Sequence, residues 1–156
     1  MNMTKTRFDI LDSFQFKCFD GEYSYFGDDH ICFRFKGIIR EFADLVDDER
    51  YSSAAKRCFE MNYRQPYNQP TPEIIKGSKK FFFTDGCDPV QCVDAYFIRL
   101  IWRVLGTKAK FFVSPMRLEP VYATNGGAWD VFIMPMRYTK EVWMKYIEDV
   151  SERMMK

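Results

Sequence analysis

The first third of the chain opens with hydrophobic and polar positions that alternate with a period of two, as in half-buried strands. The alternating runs are interrupted at Asp20-Gly21 and at residues 27–30, where Gly and Asp predict turns. The apolar residues of the two outer runs are Phe14, Phe16, Cys18, Ile31, Phe33 and Phe35. With 22–26 as the middle strand, the pattern predicts a three-stranded antiparallel meander.

After Gly37 the period lengthens to that of a helix. One apolar stripe consists of Ile38, Ile39, Phe42, Leu45 and Val46, and it predicts a helix over these positions. Ser52 or Ser53 is expected to cap a second helix, whose inner face carries Ala55, Cys58 and Phe59. The prolines between positions 66 and 72 predict an extended surface loop, and 79–84 reads as a short apolar strand.

A central helix is predicted between Asp88 and Gly106. Asp88 is a suitable N-cap, Pro89 suits the first helical position, and Gln91 completes a capping box. Gly106 is the expected C-terminal stop.

The last third predicts strands over 111–116 and 121–134, a turn at 125–127, and a terminal helix capped by Thr139. Strands, helices, strands and a helix follow one another in that order. Such runs of like elements favour an α+β fold over alternating βαβ units. We therefore expect a single α+β domain over residues 1–156, with an antiparallel sheet (N-terminal meander plus C-terminal hairpin) packed against about four helices. No glycine-rich phosphate loop occurs in the sequence.

The composition and net charge of the chain argue against some classes of function. The net charge of +1 gives no overall attraction to nucleic acid or to an anionic membrane. The five cysteines are widely spaced, which favours reduced thiols, and the polar N-terminus lacks the apolar run of a signal peptide. A cytoplasmic protein is therefore expected. Aromatic residues make up 18% of the chain, and they suit either a phenylalanine-rich core or a contact surface.

Two segments favour contact with a partner protein. Arg99 and Arg103 share a predicted helix face with Tyr96, and Trp102 lies nearby. The proline-rich segment around Tyr63 and Tyr67 also has the composition of an adaptable contact surface. The predicted partner-binding residues are Tyr63, Tyr67, Arg99, Trp102 and Arg103. The alternatives are an internal ion pair for the arginines and an ordinary connecting loop.

Lysines beside phenylalanines support nucleic-acid binding as an alternative, because cations bind phosphates and rings stack on bases. The residues concerned are Lys76, Lys79, Lys80, Lys108 and Lys110. Lysines flanking an apolar strand also protect its edge from aggregation.

Catalytic and metal chemistry has weaker support. Cys87 precedes the predicted helix N-terminus, where a thiolate is favoured, and His30 would be its base. The same placement makes Cys87 and Cys92 the two members of a hydrophobic staple, which is the favoured interpretation. Only one close cysteine pair occurs, so a zinc site is not expected.

Two acidic positions remain. Asp28-Asp29-His30 would suit a cation or a proton transfer, but an exposed turn explains it better. Asp130 falls in an apolar alternation and is expected to face the interior, paired with Arg99 or Arg103.

These observations favour a non-enzymatic protein-binding module without a cofactor. A small inhibitor or adaptor encoded by a phage or mobile element, acting on a host protein complex, is the kind of protein expected. A nucleic-acid-binding protein is the alternative, and a cysteine-dependent enzyme is a remote one.

Overall fold

The computed structural model describes residues 2–63, 69–70, 73–76, 79–84, 89–113 and 119–154. The helices within these ranges are α1 (Lys5–Asp12), α2 (Glu49–Tyr63), α3 (Ala95–Leu105) and α4 (Lys140–Met154). The strands are β1 (Phe16–Phe19), β2 (Tyr23–Gly27), β3 (Ile31–Lys36), β4 (Gln69–Pro70), β5 (Glu73–Lys76), β6 (Lys80–Thr84), β7 (Pro89–Asp94), β8 (Lys110–Val113), β9 (Val121–Thr124) and β10 (Trp129–Ile133).

The strands form two antiparallel sheets. The larger sheet has the order β1-β2-β3-β10-β9-β8-β4, and the smaller has the order β5-β6-β7. The N-terminal meander therefore joins the C-terminal hairpin through the β3–β10 pair, in the register Phe33 opposite Val131. The α+β fold predicted from the sequence is confirmed.

Both faces of the larger sheet are covered. On one face the sheet packs against α1 and α3. On the opposite face Tyr25, Cys32 and Phe132 pack against Ala55 and Phe59 of α2. All of Ile31 to Phe35 is consequently buried, although the sequence alternation there suggests one wet face.

The turns and caps of the meander, the hairpin and the last helix agree with the sequence. One carboxylate oxygen of Asp20 accepts hydrogen bonds from the N–H groups of Glu22 and Tyr23. In the hairpin loop, the Asn125 side chain accepts one from the N–H of Gly127 at 2.8 Å. Thr139 caps α4 through a hydrogen bond from the N–H of Val142 at 3.2 Å.

The helix predicted over 38–46 is wrong. A single 3-10 turn, Arg40–Phe42, replaces it, and α1 is an additional helix that the sequence did not predict. Ile39 and Phe42 are buried, whereas Val46 is 77% exposed. The Val46 carbonyl accepts a hydrogen bond from the N–H of Phe19, so this segment runs beside the edge of β1 instead of coiling.

Helix α2 begins earlier than predicted, at Glu49. The Asp48 carbonyl accepts the N–H of Ser52 at 2.8 Å, so Ser52 lies inside the first turn. The Ser52 hydroxyl instead donates to the Asp47 carboxylate at 2.9 Å. The predicted inner face is correct, because Ala55 and Phe59 are buried and Cys58 is half-buried.

The predicted start of the central helix is also wrong. Pro89–Asp94 is strand β7, and α3 begins at Ala95 with Asp94 as the N-cap. In β7, Val93 lies opposite Phe81 and Cys92 opposite Phe82, so their side chains alternate between two apolar environments. Gly106 ends the helix as predicted, with a φ of 101° that favours glycine.

The remaining strand predictions are partly confirmed. Strand β6 lies within the predicted 79–84, and β8 covers the start of the predicted 111–116. Within the proline segment Gln69–Pro70 forms β4, and the other positions from 66 to 72 lie outside the described residues. None of the described helices is long and apolar enough to cross a membrane.

Gly27 lies where the larger sheet passes close to Tyr51 of α2. A Cβ atom at this position would lie 2.6 Å from the Tyr51 hydroxyl and 2.8 Å from the Cys32 Cα, and it would also overlap the Ile31 carbonyl oxygen. The Tyr51 ring stacks on Phe16 with 4.5 Å between centroids, so it is held in place from the other side. Any larger residue at Gly27 therefore displaces backbone.

We predict that Gly27→Ala lowers the free energy of unfolding by about 3 kcal/mol, because overpacking against backbone cannot relax through a side chain. Urea denaturation followed by circular dichroism measures this change. Gly127→Ala is the matched control. Its Cβ would approach the exposed Asn125 side chain at 3.3 Å, and a shift within about 0.5 kcal/mol is expected. Equal costs for the two variants would contradict the close approach at Gly27.

Candidate functional site on helix α3

Helix α3 is anchored by one apolar face. Its buried residues are Ala95, Ile98, Leu100, Ile101, Val104 and Leu105. They pack into the core shared with α1 and with the larger sheet. Because the inner face is fixed in this way, the position of the outer face is fixed as well.

The outer face of α3 carries Tyr96, Arg99 and Arg103. These positions are three and four residues apart, so their side chains share one stripe. All three are exposed, and Tyr96 keeps 60% of its surface accessible. The Tyr96 ring contacts the Phe97 ring edge-on at 5.6 Å. The sequence placed the three residues on one face, and the structure agrees.

Trp102 lies at the border of this stripe. It is half-buried, and its ring is 5.7 Å from the ring of Phe81. The Arg99 guanidinium is also near Phe81, 5.9 Å from the ring centroid. Trp102 therefore belongs partly to the core, and Arg99 packs its head group along the same aromatic ring.

The charged residues of α3 and of the segment that follows it are all basic. Residues 95–113 contain the basic residues Arg99, Arg103, Lys108 and Lys110 and no acidic residue. Within the described part of the chain, the ion pairs are Lys17–Asp12 and Arg34–Asp130. Arg103 and Lys108 have no carboxylate partner among those residues.

The lysines of the nucleic-acid hypothesis do not form one surface. Lys79 lies beside the start of α3, where its carbonyl accepts the N–H of Ala95 at 3.0 Å. Lys80 shares a strand face with Phe82, which packs against Trp143 of α4. Lys110 shares a strand face with Phe112, on the α2 side of the larger sheet. Lys108 is exposed in the turn after α3, and the side chain of Lys76 lies outside the described residues.

Of the phenylalanines beside these lysines, four are buried and Phe112 is half-buried. Phe81, Phe82 and Phe83 are 3%, 0% and 0% exposed, and Phe111 is 6% exposed. They are not positioned to stack on bases. Of the other predicted partner-binding residues, Tyr63 ends α2 but its side chain lies outside the described residues, as does all of Tyr67.

Asp130 faces the interior as predicted, but its partner is Arg34 and not Arg99 or Arg103. The Arg34 Nε and Nη2 atoms donate to the two carboxylate oxygens at 2.9 and 2.6 Å. The Tyr122 hydroxyl donates to the same carboxylate at 3.0 Å. The two charged side chains are only 6% and 8% exposed.

The Arg34 guanidinium lies between two aromatic rings, 4.3 Å from the Tyr23 centroid and 4.1 Å from the Phe59 centroid. The alternation of Phe33 and Phe35 placed Arg34 on a wet face, so the sequence reasoning missed it. The pairing of Arg34 with Asp130 follows from the strand register, because the two residues lie directly opposite each other in the β3–β10 pair. The pair holds α2 against the sheet and is closed to solvent, so it is structural.

The Asp28-Asp29-His30 segment is a turn. One Asp28 carboxylate oxygen accepts the N–H groups of His30 and Ile31 at 2.7 and 3.1 Å, as expected for aspartate in a turn. The His30 ring lies 6.0 Å from the Phe97 ring. Within the described residues, no three His, Cys, Asp or Glu side chains are arranged to hold a metal ion.

The described cysteines are unsuited to nucleophilic chemistry. Burial raises the pKa of Cys32 to about 12 and that of Cys18 and Cys92 to about 11. The staple between Cys87 and Cys92 is wrong, because Cys92 lies in strand β7 and not in a helix. Cys87 itself lies outside the described residues.

No protein-family model matches this sequence, and searches of curated proteins and of solved structures found no similar chain.

We predict that Asp130→Ala lowers the free energy of unfolding by about 3–5 kcal/mol, because it leaves the Arg34 charge buried and unpaired. The double variant Arg34→Met/Asp130→Leu should be less destabilised than Asp130→Ala alone, since no charge then remains inside. Urea denaturation of the variants measures both values. A double variant that is destabilised as much as Asp130→Ala, or more, would contradict this account of the pair.

We also predict that Cys18, Cys32 and Cys92 react slowly with iodoacetamide at pH 8. A raised pKa leaves less thiolate at this pH than an ordinary thiol with a pKa of about 8.5 has. Peptide mass mapping before and after unfolding in urea gives the rate at each cysteine, which should rise on unfolding. Fast labelling of Cys32 in the folded protein would contradict this prediction, and fast labelling of Cys87 would revive the cysteine-enzyme alternative.

Proposed function

We propose that this protein is a non-enzymatic protein-binding module whose contact surface is the outer face of α3. The observation that carries the proposal is the exposed tyrosine, Tyr96, on the same helical stripe as Arg99 and Arg103. We further propose a cytoplasmic inhibitor or adaptor of a host protein complex, of the kind that phages and mobile elements encode. A contact helix that is fixed through its buried inner face supports that role.

The chemistry of the stripe suits a protein partner. Tyrosine and arginine are enriched among the residues that contribute most to binding at protein interfaces. A tyrosine provides a large contact area for little loss of conformational entropy. Because α3 is buried along its whole inner face, the stripe is preorganised, which reduces the cost of ordering it on binding.

The distribution of lysines and phenylalanines supports a protein partner over single-stranded nucleic acid. Binding of a single strand combines a basic track with exposed rings that stack on successive bases. Here Phe81 and Phe111 are buried, and Lys80 and Lys110 lie on sheet faces away from α3. The exposed aromatic side chain beside the arginines of α3 is Tyr96, one ring and not a series.

We predict that the tagged protein captures a protein partner from its source-cell lysate and that nuclease treatment does not release it. Tyr96→Ala/Arg103→Ala should reduce the captured amount at least tenfold, because it removes one aromatic anchor and one charged one. Quantitative mass spectrometry of the captured material measures the ratio.

The matched control is Met144→Ala/Lys145→Ala on α4. It also removes one exposed apolar side chain and one basic one, since Met144 is 52% exposed. Phe81 and Phe82 are neighbours that point to α3 and α4 respectively, so the two helices lie on opposite faces of the smaller sheet. Capture that survives the α3 changes, or that disappears with nuclease, contradicts the proposal.

A further inference from the structure

We infer that the outer face of α3 binds an acidic segment of the partner protein, laid along the helix with an apolar residue against Tyr96. The inference rests on the proposed function and specifies the chemistry of the partner. It follows from the placement of charge at both ends of α3 and along its exposed stripe.

The basic residues follow the length of the helix. Lys79 lies at its N-terminal end through the hydrogen bond from the Ala95 N–H to the Lys79 carbonyl. Arg103 is in the last turn, and Lys108 follows in the exposed turn after Gly106. An eleven-residue helix is about 16 Å long at 1.5 Å per residue. The cations therefore form a line that an extended segment of about five residues spans, since a strand rises about 3.3 Å per residue.

The line is free of acidic residues from 95 to 113, whereas the rest of the chain has 19 basic and 22 acidic residues. A carboxylate approaching the C-terminal half of α3 thus meets Arg103 and Lys108, whereas the acidic group at the other end is Asp94, which accepts the Tyr96 N–H at 2.9 Å as the N-cap. Complementary charge of this kind steers a partner and fixes its register more than it adds affinity. The apolar contribution to binding would come from Tyr96, which is 60% exposed beside Phe97.

A protein segment fits this surface better than a nucleic acid does. The line offers one exposed aromatic ring, which one apolar side chain can cover. The net charge of the chain is only +1, so there is little overall field to attract nucleic acid. The experiment therefore has to exclude binding of a nucleic acid to this surface.

The test uses three fluorescein-labelled probes and the full chain. The first is a twelve-residue peptide of aspartate and glutamate with a central phenylalanine. The second has asparagine and glutamine in place of the acids, and the third is a twelve-nucleotide oligo-dT. Fluorescence anisotropy at 50 and 300 mM NaCl gives the affinities. We expect the acidic peptide to bind most tightly, and more weakly at the higher salt concentration.

Arg103→Glu/Lys108→Glu should weaken binding of the acidic peptide by about tenfold or more, because two attractions become repulsions. The matched control is Lys140→Glu/Lys145→Glu on α4, which makes the same change in net charge with exposed lysines. It should change the affinity by less than about twofold, since charges beyond a Debye length are screened. Amide chemical shifts on adding the peptide should change over residues 95–108 and not over α4.

Three outcomes overturn the inference: no binding of the acidic peptide, equal loss in the two charge-reversal variants, or tighter binding of oligo-dT than of the peptide. Competition separates this failure from failure of the proposed function. If the captured partner depends on Tyr96 and Arg103 but the acidic peptide does not displace it, the inference fails and the proposed function stands. If capture does not depend on these residues, the proposed function fails first.

Discussion

The architecture depends on one constraint, namely that the larger sheet is covered on both faces. The face that α2 covers therefore has to bury the polar side chains that strand alternation directs to it. Arg34 and Asp130 meet this requirement as a bidentate pair with the Tyr122 hydroxyl on the same carboxylate. A shift of β3 against β10 by one residue would separate the charges and turn every side chain to the other face. The pair therefore makes the register costly to change.

This register also determines where α3 can lie. With α2 on one face, the apolar side chains of the other face need a cover, and α1 and α3 supply it. Helix α3 has apolar residues around more than half of its circumference, so it packs against both the sheet and α1 and exposes only a narrow stripe. The position of Tyr96, Arg99 and Arg103 at the surface is thus a consequence of the same packing that buries Arg34.

The sequence predicted the elements whose signals are local. The turn at Asp20 and the cap at Thr139 are formed by side chains that bond to backbone two or three residues away, and such patterns are visible in the sequence. The helix over 38–46 and the cap at Asp88 failed because tertiary contacts competed with local preference. Pairing of β7 with β6 outweighed a capping box, and the hydrogen bond from Phe19 to Val46 holds an extended segment in place of a helix.

The candidate site was predictable where it depends only on the spacing of residues along a helix. Moving the start of α3 from 89 to 95 leaves the spacing of Tyr96, Arg99 and Arg103 unchanged, so their common face survived the error. The lysine–phenylalanine segments did not keep one surface, because a strand sends neighbouring residues to opposite sides. Lys80 and Phe81 diverge for this reason, and the pairing of Asp130 with Arg34 needed a register that links residues 96 positions apart. Residues three or four positions apart on a helix are therefore predicted to share a surface. Adjacent residues of a strand are predicted to lie on opposite surfaces.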